Sequence, residues 1–217
     1  MADTLTLDAV TAYLDTLVPP RHPELQQMEA WAVEHDFPII GPASGQCCYL
    51  LARLANAHRI FELGSGYGYS TAWFARAVRD NGGGEVHHAV WDDELSRRSR
   101  GHLAALGLDD LVHYHVGEAV EALQTDGGTY DIIFNDIDKA AYPGSIAVIE
   151  RQLRPGGLLI MDNIIWSGRV MDDADQSANT NGVREATRIL TSSPTWTSTV
   201  VPIRDGLMVA IRNGEAR

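Results

Sequence analysis

Apolar residues recur along the chain in two rhythms, first at helical spacing and then as short β-type runs alternating with helical ones. Val10, Tyr13, Leu14 and Leu17 follow the helical period, and Pro19-Pro20 stops that run. Leu25, Met28, Trp31 and Ala32 form a second amphipathic stretch, which Gly41-Pro42 breaks. Ser44 is then placed to cap a helix running to Ala55, with Leu50, Leu51 and Leu54 on its buried side. Strands are predicted at Arg59–Leu63, Val86–Trp91, Val112–Val116, Tyr130–Asn135 and Leu158–Met161. Between them lie helices at Ser70–Arg79, Glu94–Leu106, Ala119–Leu123 and Gly144–Gln152, with a turn at Pro155-Gly156-Gly157. A polar loop, Gly168–Gly182, precedes a helix at Val183–Leu190. Two β-rich runs follow, Thr197–Ile203 and Leu207–Ile211, joined by Arg204-Asp205-Gly206.

Strands alternating with helices imply a parallel sheet covered on both faces. A three-residue connection cannot join parallel neighbours, so the last two strands are expected to be antiparallel. The expected fold is α/β: a doubly wound, mostly parallel sheet with a reversed strand at one edge. One domain over 1–217 is expected, helical over 1–57 and α/β over 58–217. Such sheets bind ligands beyond the carboxyl ends of their strands. The chemistry is therefore sought in the residues that directly follow each strand.

Charge narrows the partners. Lys and Arg total 17 against 29 Asp and Glu, a net charge of −12, which argues against a broad basic face for nucleic acid. No apolar run approaches the ~20 residues of a membrane helix. The opening Met1–Asp15 has neither a basic n-region nor a cleavable apolar segment, so a cytoplasmic location is expected. Cys47 and Cys48 are adjacent, a spacing that strains a disulfide, and are read as reduced thiols. Among the histidines, His87, His88, His113 and His115 show no partner pattern and are expected on the surface or satisfied in the core.

After the first strand comes Glu62-Leu63-Gly64-Ser65-Gly66-Tyr67-Gly68-Tyr69-Ser70. Three glycines at alternate positions allow close backbone approach to a ligand. The spacing departs from the Gly-x-Gly-x-x-Gly dinucleotide fingerprint. Ser70, at the helix start, can present its hydroxyl beside free backbone N–H groups to a carboxylate. Further on, two apolar strands run into acids: Asn135-Asp136-Ile137-Asp138-Lys139 after one, Asp162-Asn163 after the other. If these strands are neighbours, Asp136, Asp162 and the Asn163 amide oxygen converge. Two carboxylates and an amide suit Mg²⁺, Mn²⁺ or Ca²⁺, and the lack of His or Cys there argues against zinc.

The glycine segment resembles motif I of class I S-adenosylmethionine-dependent methyltransferases. More narrowly, it is similar to the catechol and caffeoyl-CoA O-methyltransferase family, whose form is Glu-[Leu/Ile]-Gly-x-x-x-Gly-Tyr-Ser. The resemblance extends to Gly41-Pro42-Ala43-Ser44-Gly45-Gln46, Asp136-Ile137-Asp138-Lys139, Asp162-Asn163-Ile164-Ile165-Trp166-Ser167-Gly168, Asn181-Gly182-Val183-Arg184-Glu185 and Pro202-Ile203-Arg204-Asp205-Gly206-Leu207. It implies a Rossmann-like methyltransferase sheet with N-terminal helices and a homodimer, for which Leu25, Met28 and Trp31 are either contacts or core residues. It implies cofactor contacts from Glu62, Gly64, Gly66, Gly68, Ser70 and Asp136, metal ligation by Asp136, Asp162 and Asn163, and a catalytic Lys139. The family's ribose-binding acid aligns with Val90, a departure. Asp92, two residues on, is taken as its replacement, and Glu118 in Gly117-Glu118-Ala119 as the group near the adenine. Asp138 either orients Lys139 or faces water, and Trp166 either walls an aromatic pocket or belongs to the core.

The implied reaction moves a methyl from S-adenosylmethionine to a hydroxyl of a catechol-like small molecule. A phenol, with a pKa near ~10, is mostly protonated at neutral pH. A divalent ion chelated by vicinal oxygens lowers that pKa and fixes the hydroxyl, and Lys139 can take the proton. Methylation of a hydroxylated tRNA base is the second enzymatic reading, opposed by the −12 charge and the lack of a basic–aromatic stripe. A nicotinamide oxidoreductase is opposed by the glycine spacing. A non-catalytic cofactor-binding module is opposed by Lys139 and the acidic set.

Overall fold

The alternating runs lie side by side in the computed structural model, which describes residues 6–214. The strands are β1 (Arg59–Leu63), β2 (Glu85–Val90), β3 (Val112–Val116), β4 (Tyr130–Asn135), β5 (Leu153–Met161), β6 (Trp196–Val201) and β7 (Leu207–Arg212). They form one sheet in the order β3–β2–β1–β4–β5–β7–β6. β1 to β5 are mutually parallel; β7 runs antiparallel to both β5 and β6. The reversed strand therefore lies one place in from the edge, inserted between β5 and β6, rather than at the edge itself.

The helices are α1 (Leu7–Leu17), α2 (Pro23–Glu34), α3 (Gly41–Leu54), α4 (Tyr69–Asp80), α5 (Asp93–Ala105), α6 (Ala119–Asp126), α7 (Tyr142–Gln152) and α8 (Ala178–Ser192). Central strands are apolar on both faces because helices cover both. Ile60 packs with Met28, Trp73, Phe74 and Leu103 from α2, α4 and α5. Its neighbours Phe61 and Leu63 pack on the other side with Leu123, Ile149 and Val183 from α6, α7 and α8. Leu25 and Met28 are buried in the first of these clusters, so they belong to the protomer's own core rather than to a subunit contact. No helix among the described residues is long and apolar enough to cross a membrane.

Local structure departs from these expectations in α3, β5 and α8. Gly41-Pro42 opens α3 instead of breaking the chain, since proline suits a first helical turn whose N–H would be unpaired anyway. The cap is not Ser44, which is buried in the helix; Asp15 Oδ1 of α1 accepts the Ala43 N–H at 2.9 Å. The face toward the core is built of small residues, Ser44, Gly45, Cys48 and Ala52, and a Cβ on Gly45 would lie 2.3 Å from the Trp73 indole. That close approach turns Leu50 and Leu54 outward, 52% and 75% exposed, opposite to their expected side. In β5, Pro155-Gly156-Gly157 forms an irregularity inside the strand: Leu153 pairs with Tyr130 before a register shift. Finally, α8 begins five residues earlier than Val183, capped by Ser177. Arg184 donates to the carbonyl oxygens of Arg169, Val170, Asp172 and Asp175 and so folds the expected loop around itself.

At the amino end of the sheet, Asp131 accepts from the backbone N–H of His58 (2.8 Å) and Arg59 (2.9 Å) and from Arg154 Nε (2.6 Å). It thereby ties β1, β4 and β5 together. Burial opposes its ionisation, but these donors, Arg154 foremost, hold its carboxyl below the ordinary value. Asp131→Ala should destabilise the fold by about 2–3 kcal/mol in denaturant unfolding, the worth of charge-assisted hydrogen bonds. A loss below about 0.5 kcal/mol would show that water satisfies the same groups.

Candidate active site

Backbone hydrogen bonds continue the sheet ladder just past the strands. Asp136 N–H donates to Leu63 O at 2.8 Å, and Asp162 N–H donates to Asn135 O at 3.2 Å. The carboxyl ends of β1, β4 and β5 are thus stitched in a row at the switch point between β1 and β4. Gly64 passes so close that a Cβ would stand 2.4 Å from Asp136 O, at a φ of +88°. Tyr142 reinforces the row from below through its hydroxyl, 3.0 Å from Asp162 O and 3.3 Å from Asn135 O.

Over these ends opens a cleft of about 470 Å³ that brings together Asp136, Lys139, Asp162 and Asn163. Lys139 is 8% exposed, its Nζ bonded to Asp136 Oδ1 at 2.5 Å and to Ile137 O at 3.2 Å. The ammonium also lies 5.1 Å from the Tyr142 ring centre and 5.9 Å from that of Trp166. Asn163 takes a left-handed backbone (φ 58°) and donates Nδ2 to Asp205 Oδ2 at 3.3 Å, while its amide oxygen has no hydrogen bond among the described residues. Asp205 Oδ1 in turn accepts the Ser167 N–H at 2.6 Å.

Electrostatically the cleft is short of positive charge. Asp162 is 1% exposed, and its Oδ1 has no hydrogen-bond partner among the described residues. Burial, then the neighbouring Asp136 charge, pushes its carboxyl up to about 7. Burial likewise raises Asp136 against the pull of Lys139. Arg204 Nη1 stands 3.9 Å from Asp162 Oδ2, too far for a hydrogen bond. An unpartnered buried carboxylate oxygen beside a second carboxylate and a free amide oxygen fits a hard divalent cation.

A family profile described as O-methyltransferase matches residues 18–213. The chain belongs to the O-methyltransferase family. It is 30% identical over 181 residues to a catechol O-methyltransferase of Niastella koreensis, covering 79% of this chain and 81% of that one. It superposes with a TM-score of 0.84 on the O-methyltransferase TomG of Streptomyces achromogenes, involved in tomaymycin synthesis and solved in complex with S-adenosylmethionine. That pair is 28% identical, with 95% and 96% of the two chains covered. An O-methyltransferase of Bacillus cereus in complex with S-adenosylhomocysteine gives 0.86 at 25% identity, covering 96% and 100%.

The other expected contacts of this methyltransferase are more scattered. Gly64, Gly66 and Ser70 line a small recess of about 30 Å³ adjoining the main cleft. Gly68 instead faces α5, where a Cβ would meet Ser99 Oγ at 2.2 Å. β2 ends at Val90, and Asp92 is exposed at the N-cap of α5, with Oδ1 accepting from Leu95 N at 2.8 Å. Glu118 similarly caps α6, accepting from Glu121 N at 2.5 Å. Asp138 is exposed and caps the turn that carries Lys139. Trp166 both lines the cleft and packs on the core. Unforeseen were the walls supplied by Phe37, Pro38 and Ile39 and the inward Arg204. The signal for Arg204 was its place in the β6–β7 connection, which returns to the carboxyl end of β5.

Glu62 lies sealed beneath the glycine turn, fully buried, with no hydrogen bond of good geometry to either carboxylate oxygen among the described residues. Burial pushes it up to about 7, and the nearby Ser70 and Thr71 hydroxyls offset this only in part. A carboxyl raised on folding binds more protons in the native state than in the unfolded one, so stability falls as pH climbs from about 4.5 to 7. Glu62→Gln should therefore raise the melting temperature relative to wild type near ~pH 8 and change it little near ~pH 5. An equal effect at both values would show that Glu62 is paired in solution.

Proposed function

We propose that this O-methyltransferase transfers a methyl group from S-adenosylmethionine to a hydroxyl of a catechol-type small molecule, with a divalent cation held by Asp136, Asp162 and Asn163. The observation that carries the metal reading is the buried, unpartnered Oδ1 of Asp162 beside Asp136. The donor reading is supported by the bound S-adenosylmethionine and S-adenosylhomocysteine of the two structural neighbours. The acceptor reading is supported by the catechol O-methyltransferase relative and by the Phe37, Ile39 and Trp166 walls, which suit an aromatic ring.

S-adenosylmethionine, when bound, supplies the methyl on a positively charged sulfonium. A divalent ion, when bound, acidifies and fixes an acceptor hydroxyl. Ser70, in the first turn of α4, and the backbone of Gly64 and Gly66 hold the methionine end, where a helix N-terminus favours a carboxylate. Glu62 and Gly68 support that turn from below and behind. Asp92 and Glu118, after β2 and β3, lie toward the ribose and adenine, each with one carboxylate oxygen not engaged in its helix cap. Lys139 Nζ, as the neutral amine after releasing its own proton to solvent, accepts the proton that the acceptor hydroxyl loses. Tyr142 and Trp166 hold Lys139 in place and keep water from it.

Methyl transfer from labelled S-adenosylmethionine to a panel of catechols should vanish in EDTA and return with Mg²⁺ or Mn²⁺, while calorimetry shows S-adenosylmethionine still binding. Asp162→Ala should behave as the EDTA-treated enzyme does. Full activity after exhaustive chelation would defeat the metal reading without touching the family assignment. Lys139→Ala should keep cofactor binding and lower kcat by about 10²–10⁴, the usual worth of a general base; an unchanged kcat would remove Lys139 from the proton transfer.

A further inference from the structure

A second cluster of metal-ligating side chains sits on the α6 side of β2 and β3, and none of its members lines the cleft. Residues two apart on a strand share a face, so Glu85 and His87 of β2 stand beside His113 and His115 of β3. The parallel register places His87 directly opposite His113. The three imidazoles stack, with His87 at 5.0 Å from His113 and 5.2 Å from His115 between ring centres. Asp126 reaches in from the end of α6.

His87 is 3% exposed, yet its Nε2 has no hydrogen-bond partner among the described residues. Its Nδ1 lies 3.0 Å from His115 Nε2 and 3.5 Å from Asp126 Oδ1. Tetrahedral coordination with bonds near 2.0–2.1 Å separates neighbouring donor atoms by about 3.3 Å, which these distances bracket. Asp126 is already oriented: its Oδ2 accepts from Arg59 Nη2 at 3.3 Å and from the Tyr130 hydroxyl, and Oδ1 is the oxygen turned to His87. The alternative triad of Glu85, His87 and His113 is weaker, because Glu85 Oε1, the oxygen nearest His87, is already paired with Arg59.

We propose that His87 Nδ1, His115 Nε2 and Asp126 Oδ1 bind a Zn²⁺ ion, with water in the fourth position. Two imidazoles and a carboxylate are a zinc donor set, unlike the all-oxygen set of the cleft. An open depression of about 440 Å³ lined by His115 and Asp126 leaves room for the water. With Nδ1 on the ion, the nearest carboxylate oxygen behind His87 Nε2 is Glu85 Oε1 at 3.4 Å, without hydrogen-bond geometry and already paired with Arg59. Such an ion clips the edge strand β3 and the end of α6 to β2.

The test uses the full-length protein stripped with EDTA and titrated with Zn²⁺ alone against a chromophoric chelator, with melting followed in parallel. Wild type should take up one tightly held equivalent and melt higher with it. That uptake should survive Asp162→Ala, which removes a donor of the cleft, and His35→Ala, a distant exposed histidine. His115→Ala and Asp126→Asn should each weaken zinc binding by more than about 100-fold, beyond the 10- to 100-fold typical of losing an outer partner. Both should also lose the zinc-induced rise in melting temperature. Absence of uptake by wild type, its loss in Asp162→Ala, or its retention by either folded variant overturns the assignment. Asp126→Asn, nearly isosteric, keeps the test decisive if His115→Ala fails to fold.

Discussion

The hydrogen bond from Asp136 N–H to Leu63 O, with its counterpart from Asp162 to Asn135, is the constraint on which the site depends. Each bond extends the sheet by one rung beyond the last apolar residue. The first polar side chains after β1, β4 and β5 are therefore positioned by the sheet rather than by flexible loops. Sites built on rigid elements hold their groups more accurately than sites built on loops. Gly64 makes this possible, since any side chain there would push β1 away from the Asp136 carbonyl.

The same rungs carry Asp136 and Asp162 to the edge of a dry interior. Burial penalises their charge, and Lys139 and Arg204 offset only part of it. The cleft thus keeps unsatisfied affinity for positive charge, within a chain whose net charge is already −12. A cationic ligand meets a matching field there.

The strand–helix alternation was legible because parallel strands must be apolar throughout and their crossovers amphipathic. The convergence of Asp136, Asp162 and Asn163 was legible because polar residues directly after apolar strands mark the ligand edge, whereas Lys139 was singled out by the family resemblance. What escaped has specific causes. The core face of α3 is made mostly of small residues, so Leu50 and Leu54 suggested the wrong side, while Leu51 does pack on the core. The helix cap came from Asp15, a residue distant in sequence. The partners of His87 depend on strand register, which a single sequence does not encode. Phe37, Pro38 and Ile39 reach the cleft only through the packing of α2 and α3 on α4.

Arg184 gives the segment between β5 and α8 a further significance. Its guanidinium collects four carbonyl oxygens from Arg169 to Asp175 and so acts as a template for the chain around it. The entropy of ordering that segment is lost during folding, not when an acceptor arrives. Trp166 and Asn179, at either end of it, accordingly present a preset wall. A wall ordered before any ligand arrives favours discrimination by shape, and a single side-chain exchange on it would alter that shape while the fold stays the same.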